Sequence, residues 1–464
     1  MADQREPAVA SAPDTLRDTP PAALAAAVDA VLPGALADLR DLVRIPSVWA
    51  DRAHRDDTRR SAEAVAALAR AGGAATVQVV AAGDGAPAVI AHWPAADAGA
   101  PTVLLYAHHD VQPTGGDELW TSPPFEPTER DGRLYGRGAA DDKAGVMTHL
   151  AVLRAFGGRP PVNVVLFVEG EEESGSPTLV ELMAAHRDAL ACDVIVIADS
   201  ANPAVDVPAL TTSLRGLVDC TVEVAMLERP VHSGLYGGPV GDALTALCRT
   251  LASLHHDDGR VAVPGRLHHH ADAPDPDLAT FRSDVGLLDG VELLGEGTIL
   301  ERAWQGPAVA VLGIDAPSVA EASNVLLPRA RAMVSMRLAP GDDPAAAQDA
   351  LAAHLTAHVP WGAHVTVTPG AAAAPYELKA VGDVYDLARR TFAQAYGNEV
   401  VETGIGGSIP FIAEFARAFP GAAVLVTGVG DPASRWHGID ESLHLGMFGR
   451  GVLAEVLLLD GLVR

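Results

Sequence analysis

Cysteine is nearly missing from this 464-residue chain. Its three examples, Cys192, Cys220 and Cys248, stand singly in apolar surroundings. They make no metal-type pair, and an odd number of isolated thiols suits a reducing compartment, which points to the cytoplasm. Basic residues are also short: 33 Lys and Arg face 60 Asp and Glu, a net charge of −27. Such a balance repels phosphate backbones, so no nucleic-acid partner is expected. No uninterrupted apolar run reaches the roughly eighteen residues of a bilayer-spanning helix, so no membrane span is expected either. Met1-Ala2-Asp3-Gln4-Arg5-Glu6-Pro7 has no apolar stretch of the secretory kind.

What is present reads as a folded chain. Hydrophobic residues make up 48% and charged residues 20%, which excludes disorder, and the length suggests two domains. Residues 1–20, rich in Ala, Pro and Asp, are expected to be a flexible tail. Helices are predicted at 22–43, interrupted at Pro33-Gly34, and at 61–71. Strands are predicted at 76–80 and 88–92. Apolar strands follow at 103–107, 162–168, 194–198 and 423–427, with helical patterns between them. That alternation means an α/β domain with a largely parallel sheet flanked by helices. The middle differs: strand 217–225, helix 239–254, strands 307–312 and 330–338, helix 344–358, strand 364–368. This βαββαβ order is ferredoxin-like, an α+β unit interrupting the first domain. The expected division is 1–213 plus 373–464 for the catalytic domain and 214–372 for an inserted lid or dimerisation domain, with 370–375 as the return hinge.

The apolar strands end in donor side chains. Strand 103–107 runs into His108-His109-Asp110, strand 162–168 into Glu169-Gly170-Glu171-Glu172-Glu173, and strand 194–198 into Asp199. A glycine-rich turn delivers Asp141-Asp142 just before a helical run, and His437 follows the last strand. A lone strand-end histidine is usually structural, and an Asp before a helix is often only its cap. Recurrence at several strand ends favours chemistry instead. His108, Asp141, Glu172, Glu173, Asp199 and His437 are imidazole and carboxylate donors that suit zinc, manganese or cobalt. Two ions about 3.5–4 Å apart would polarise a scissile carbonyl and generate hydroxide near neutral pH. A carboxylate off the metals must still move the proton, and adjacent Glu172 and Glu173 could supply one base and one ligand. Asp110 can accept the other N–H of His108 and fix its tautomer. Alternation points His109 to the opposite face. His268-His269-His270 reads as a polar loop, and Ser233 and Ser408 lack a nucleophile-elbow context.

Taken in order, the motifs resemble those of metallopeptidase family 20, the group of carnosinases, aminoacylases, glutamate carboxypeptidases and succinyl-diaminopimelate desuccinylase. They are His108-x-Asp110-Val111-Gln112-Pro113, Gly136-Arg137-Gly138-x-x-Asp141-Asp142-Lys143, Glu172-Glu173-Ser174-Gly175-Ser176 and Asp199. His232-Ser233-Gly234, Arg337-Leu338-x-Pro340-Gly341, Gly406-Gly407-Ser408-Ile409-Pro410 and His437 continue the series. The forms are most similar to the carnosinase-type dipeptidase branch. The resemblance implies two zinc ions per chain, with manganese or cobalt as substitutes, bridged by Asp141. His108 and Asp199 would complete one shell, and Glu173 and His437 the other. It further implies Glu172 as general base, Asp110 as support for His108, and His232 as an oxyanion donor, often from a dimer partner. Arg337 would grip a substrate carboxylate, with Gly407, Ser408 and Asn324 as further contacts. The implied reaction is hydrolysis of dipeptides or short peptides with a free C-terminal carboxylate, in a homodimer formed through the insert. Where that branch often carries Arg-Glu ahead of Gly406, this chain has Gly404-Ile405, which keeps an N-acyl-amino-acid amidohydrolase as the alternative. A catalytically inactive binding protein on the same scaffold is a third reading.

Overall fold

The computed structural model describes residues 21–271, 275–378, 380–406 and 410–464. The tail expected at 1–20 lies outside the described residues. At the centre is a six-stranded sheet in the order Thr76–Val80, Ala88–Trp93, Asn163–Glu169, Thr102–His108, Val194–Ile197, Ala423–Val426. The first two pairings are antiparallel and the other three parallel, so the largely parallel α/β sheet is present.

Side-chain alternation explains why the inner strands are apolar at every position between their ends. Val103, Leu105 and Ala107 enter one core with Val164, Leu166, Val168, Val194 and Val196. Leu104 and Tyr106 enter the core on the opposite face with Val165, Phe167, Ile195 and Ile197. Helices Pro21–Val43, Lys143–Ala155 and Leu445–Gly461 cover the first face, and Leu179–Ala185 and Pro410–Ala418 the second. A strand buried on both faces has no reason to alternate with polar residues. Each fully buried Leu, Ile, Val or Phe stabilises the fold by about 1.5–3 kcal/mol. Tyr106 and Phe167 pack with Phe415 at ring separations of 5.7 to 6.0 Å, and the Tyr106 hydroxyl donates to Glu169 Oε2 at 2.6 Å.

Register fixes where the strands finish. His108 lies opposite Glu169, and Tyr106 opposite Ile197. The loops carrying His108–Gln112, Glu171–Gly175 and Asp199 therefore leave from the same carboxyl edge of the sheet, where α/β folds place ligands.

The first helix departs from expectation. It runs unbroken from Pro21 to Val43 with Pro33 inside it. Proline removes one helical hydrogen bond, but Val28 before it and Ala35, Leu39 and Leu42 after it are buried, so packing holds both halves in line. By length and composition this helix could cross a membrane; here its buried face is part of the first core. The second helix begins at Arg55 rather than 61, with Asp56 and Asp57 in its first turn.

In the middle of the chain, strands Ala308–Asp315, Arg329–Leu338, Gly216–Ala225 and His364–Ala373 form an antiparallel sheet in that order. Helices Ala243–Ala252 and Pro344–Ala357 cover one face, packing Leu247 and Leu351 against Val218, Val222, Val334 and Met336. This is the βαββαβ arrangement. Asp343 caps the second helix by accepting from Ala345 N and Ala346 N, with Pro344 in the first turn, where its missing N–H costs nothing. The last strand extends to Ala373 with an irregularity between Pro369 and Ala372, so two residues of the segment expected as a hinge, Ala372 and Ala373, are paired. Its entry and exit meet: Leu214 of Ala209–Leu214 pairs with Tyr376 on one side and with Ile405 on the other.

Candidate metal centre

Asp141 is the meeting point of the donors. Its Oδ1 lies 3.2 Å from His108 Nε2, and its Oδ2 lies 3.1 Å from His437 Nε2. On the His108 side, Asp199 Oδ2 and Glu172 Oε2 each stand 3.9 Å from His108 Nε2. On the other, Glu173 Oε2 is 3.2 Å from His437 Nε2. Donor atoms of His108, Glu172 and Asp199 fall within 4.8 Å of one another, as do those of His108, Asp141 and Glu173. All six residues singled out at the strand ends are thus brought to one place, although they come from five separate segments of the chain.

The local chain explains how each is aimed. Asp141 and Asp142 divide the two roles open to them: Asp142 caps helix Lys143–Ala155 and accepts from His108 N at 3.1 Å, leaving Asp141 to face the imidazoles. Gly145 permits that cap, because a Cβ there would stand 2.2 Å from Asp142 Oδ1 and 2.8 Å from Ala198 O. His108 Nδ1 is 3.0 Å from the Asp110 carbonyl and 3.4 Å from its carboxylate. The Asp110 carboxylate also accepts from Glu172 N at 3.2 Å and Glu173 N at 3.1 Å, so it anchors the acidic loop as well as the imidazole. Gln112 donates to Glu173 Oε2 at 2.8 Å. His437 sits in the left-handed region at φ 59°, a conformation costing about 1–2 kcal/mol that functional sites tolerate. His109 points away and meets the Pro87 carbonyl at 2.8 Å.

The electrostatics of the cluster call for cations. Burial raises Glu172 well above the usual carboxylate range; His108 opposes the shift, and Asp199 and Glu173 add to it. Burial likewise pushes Asp199 up to about 7, against the pull of His108 and with the repulsion of Asp141 and Glu173. Burial would raise Asp141 too, but contacts with His108 and His437 outweigh it and hold the carboxyl well below its ordinary value. Burial would lower His437, yet Asp141 and Glu173 hold it up at about 11. Four mutually repelling carboxylates share two imidazoles. His108 Nε2 is buried without a hydrogen-bond partner, as a nitrogen whose Nδ1 side is already engaged would be if it served as a ligand. The donor set and this orphaned atom fit a pair of divalent cations.

The remaining expected residues do not join the cluster in the same way. His232 is exposed on a two-stranded ribbon, Val231–His232 against Val325–Leu326, and its Nδ1 accepts from Gly234 N. Asn324 is its neighbour, with its carbonyl accepting from Ser233 N at 3.0 Å. No contact of either with the carboxylates occurs among the described residues. Arg337 is half-buried on the inserted sheet opposite Leu217 and Ala308. Gly407 and Ser408 lie outside the described residues. The sequence assigns no orienting role to Gln112 and no role to Glu441, which only closes the stretch of resemblance. The latter is buried and bonded to the turn that carries Asp141, and its signal is only an acid following His437 closely.

Residues 104–460 match the model of peptidase family M20/M25/M40. The chain belongs to this family. It is a metal-dependent hydrolase. Among its relatives, the cysteinylglycine-S-conjugate dipeptidase of Corynebacterium striatum is 38% identical over 351 residues, covering 74% of this chain and 77% of that protein. The mouse Beta-Ala-His dipeptidase is 32% identical over 272 residues, and the match spans 55% of each chain. The fold is that of the di-peptidase Dug1p from Saccharomyces cerevisiae, with a TM-score of 0.84 at 22% identity, covering 95% of this chain and 98% of that one. These relatives agree with the carnosinase-type branch to which the motifs pointed.

Proposed function

We propose that the chain is a dinuclear zinc dipeptidase cleaving peptides with a free C-terminal carboxylate. The observation that carries this reading is Asp141, with one oxygen turned to His108 and the other to His437. His108 and Asp199 would hold one ion and Glu173 and His437 the other, with manganese or cobalt able to replace zinc. When bound, the ions polarise the scissile carbonyl and lower the pKa of the attacking water. Glu172, beside His108 and unneeded in either shell, takes the proton from that water and returns it to the leaving nitrogen. Asp110 keeps His108 and the Glu172-Glu173 backbone in register. The half-buried Arg337 grips the substrate carboxylate with its planar fork, which Lys would not reproduce. Gly407, Ser408 and Asn324 complete that end.

Dipeptide substrates also agree with the names of the relatives, one acting on a cysteinylglycine conjugate and another on Beta-Ala-His. A second reading has its own observation. Gly404-Ile405 supplies no acid to meet a substrate amine, so the same centre suits N-acyl-amino-acids. A free dipeptide, its N-acetylated form and its C-terminal amide separate the two. The dipeptidase reading expects the first to be cleaved at least about tenfold faster than the second, a discrimination of about 1.4 kcal/mol. The amide should fail in both readings. Faster cleavage of the acetylated form would replace dipeptidase by amidohydrolase.

The division at 214–372 makes the inserted sheet a unit on its own, and we assign it to dimer formation in a cytoplasmic homodimer. Its edge strand Ala308–Asp315 is exposed, including Leu312 and Ile314, and an unpaired edge invites a second copy. His232 would then reach the partner's centre and donate to the oxyanion. A mass of one chain by light scattering would remove both roles.

A further inference from the structure

The turn that delivers Asp141 is built around a carboxylate that is not itself among the donors. Glu441 has no exposed surface. Its Oε1 accepts from Ala140 N at 2.8 Å and from Asp141 N at 3.0 Å. Its Oε2 accepts from Gly138 N at 3.0 Å and from Arg137 Nη1 at 2.7 Å. The Glu441 carbonyl takes Gly136 N at 3.0 Å. Successive backbone N–H groups converging on one anion form a nest, and Gly138 at φ 84° supplies the left-handed step the nest needs. A carboxylate that accepts four donors is fully engaged and has no freedom to move without breaking charge-assisted bonds.

Glu441 also lies close to a second donor along the chain. It follows His437 on the same short segment, and Arg137 donates to the Gly438 carbonyl at 3.1 Å as well as to Glu441. Asp141 and His437 come from opposite ends of the family-matched region yet stand 3.1 Å apart. The only side-chain carboxylate bonded to the Asp141 backbone among the described residues is Glu441. Elsewhere in the cluster the same logic is visible on a smaller scale, where Asp110 takes the N–H groups of Glu172 and Glu173.

We infer that Glu441 is a positioning residue that locks the Asp141 turn to the His437 segment, so that a single aspartate can present one oxygen to each of two cations. Displacing it should weaken both cation sites together, because they share Asp141. Loss of a donor that serves one ion, such as Asp199, should weaken one site. This rests on the two-cation reading.

Zinc titration of the metal-free chain by calorimetry tests it on the wild type, Glu441→Gln and Asp199→Asn. Glutamine keeps the shape but turns an NH2 toward backbone N–H groups and removes the counter-charge of Arg137. Both dissociation constants of Glu441→Gln are expected to rise about 10–100-fold, the usual cost of losing an outer partner. Its activity should return in excess zinc with KM near the wild-type value. Asp199→Asn should show one weakened site. A purely structural Glu441 would lower the melting temperature and leave both zinc affinities within about threefold of wild type, below the range that outer partners normally command; that result overturns the inference. Should Glu441→Gln fail to fold, Glu441→Asp keeps the charge while shortening the reach, and the same two constants decide. If the wild-type chain itself binds fewer than two zinc ions, the two-cation reading fails first, and the outcome is distinguishable from failure of the Glu441 assignment alone.

Discussion

Glu172→Gln is expected to lower kcat by about 10²–10⁴-fold, the range contributed by a positioned proton-transfer group. The carboxylate stands 3.9 Å from His108 Nε2 and is attached to a backbone N–H held by Asp110, so its replacement removes a proton acceptor and little else. Without cations, burial raises its proton affinity, and Asp199 and Glu173 reinforce the shift; two bound cations would draw that affinity back down, toward a group that takes a proton and then releases it to the leaving nitrogen. As a base it works only when deprotonated, so kcat/KM should fall as pH drops through its pKa, and the glutamine variant should lose that acid limb. Zinc content should stay at the wild-type value. Loss of one ion in the variant would move Glu172 from the proton shuttle into the ligand set, where its proximity to His108 and Asp199 would also place it.

Asp141→Asn is expected to have the other large effect, and on binding rather than on proton transfer. Asp141 is the one carboxyl in the cluster held well below its ordinary pKa, by two imidazoles that outweigh its burial. An amide offers one acceptor oxygen where the carboxylate offers two. One of the two imidazoles then faces an NH2 group, and the remaining acids have lost their shared partner. The variant should retain neither ion after gel filtration and show no activity without added metal. Its secondary structure should be intact, because Asp142 rather than Asp141 caps the following helix. A variant that still carries two ions would contradict the bridging role.

Much of this was legible in the residue order. The inner strands announced themselves because both faces are buried, so 103–107 and 164–168 carry apolar residues at every step. The polar residues that follow them, His108 and Glu172-Glu173, stand out against that background. The opposite orientation of His109 followed from alternation alone. Pro33 misled, because a proline's local cost was outweighed by burial on both sides of it. Glu441 and Gln112 were not legible for a different reason. What Glu441 binds is mostly backbone N–H groups, which leave no side-chain signature, and its closeness to Asp141 exists only after the chain ends have come together. The location of His232 and Asn324 on an exposed ribbon likewise depends on how the insert folds, which no motif encodes.

The proposed function requires two cations sharing one aspartate. Crystals of the wild-type chain grown with zinc, with data collected on either side of the zinc absorption edge, test this most directly. Two anomalous peaks should flank the Asp141 carboxylate about 3.5–4 Å apart, one beside His108 and Asp199 and the other beside Glu173 and His437. A single peak, or peaks away from Asp141, would contradict it.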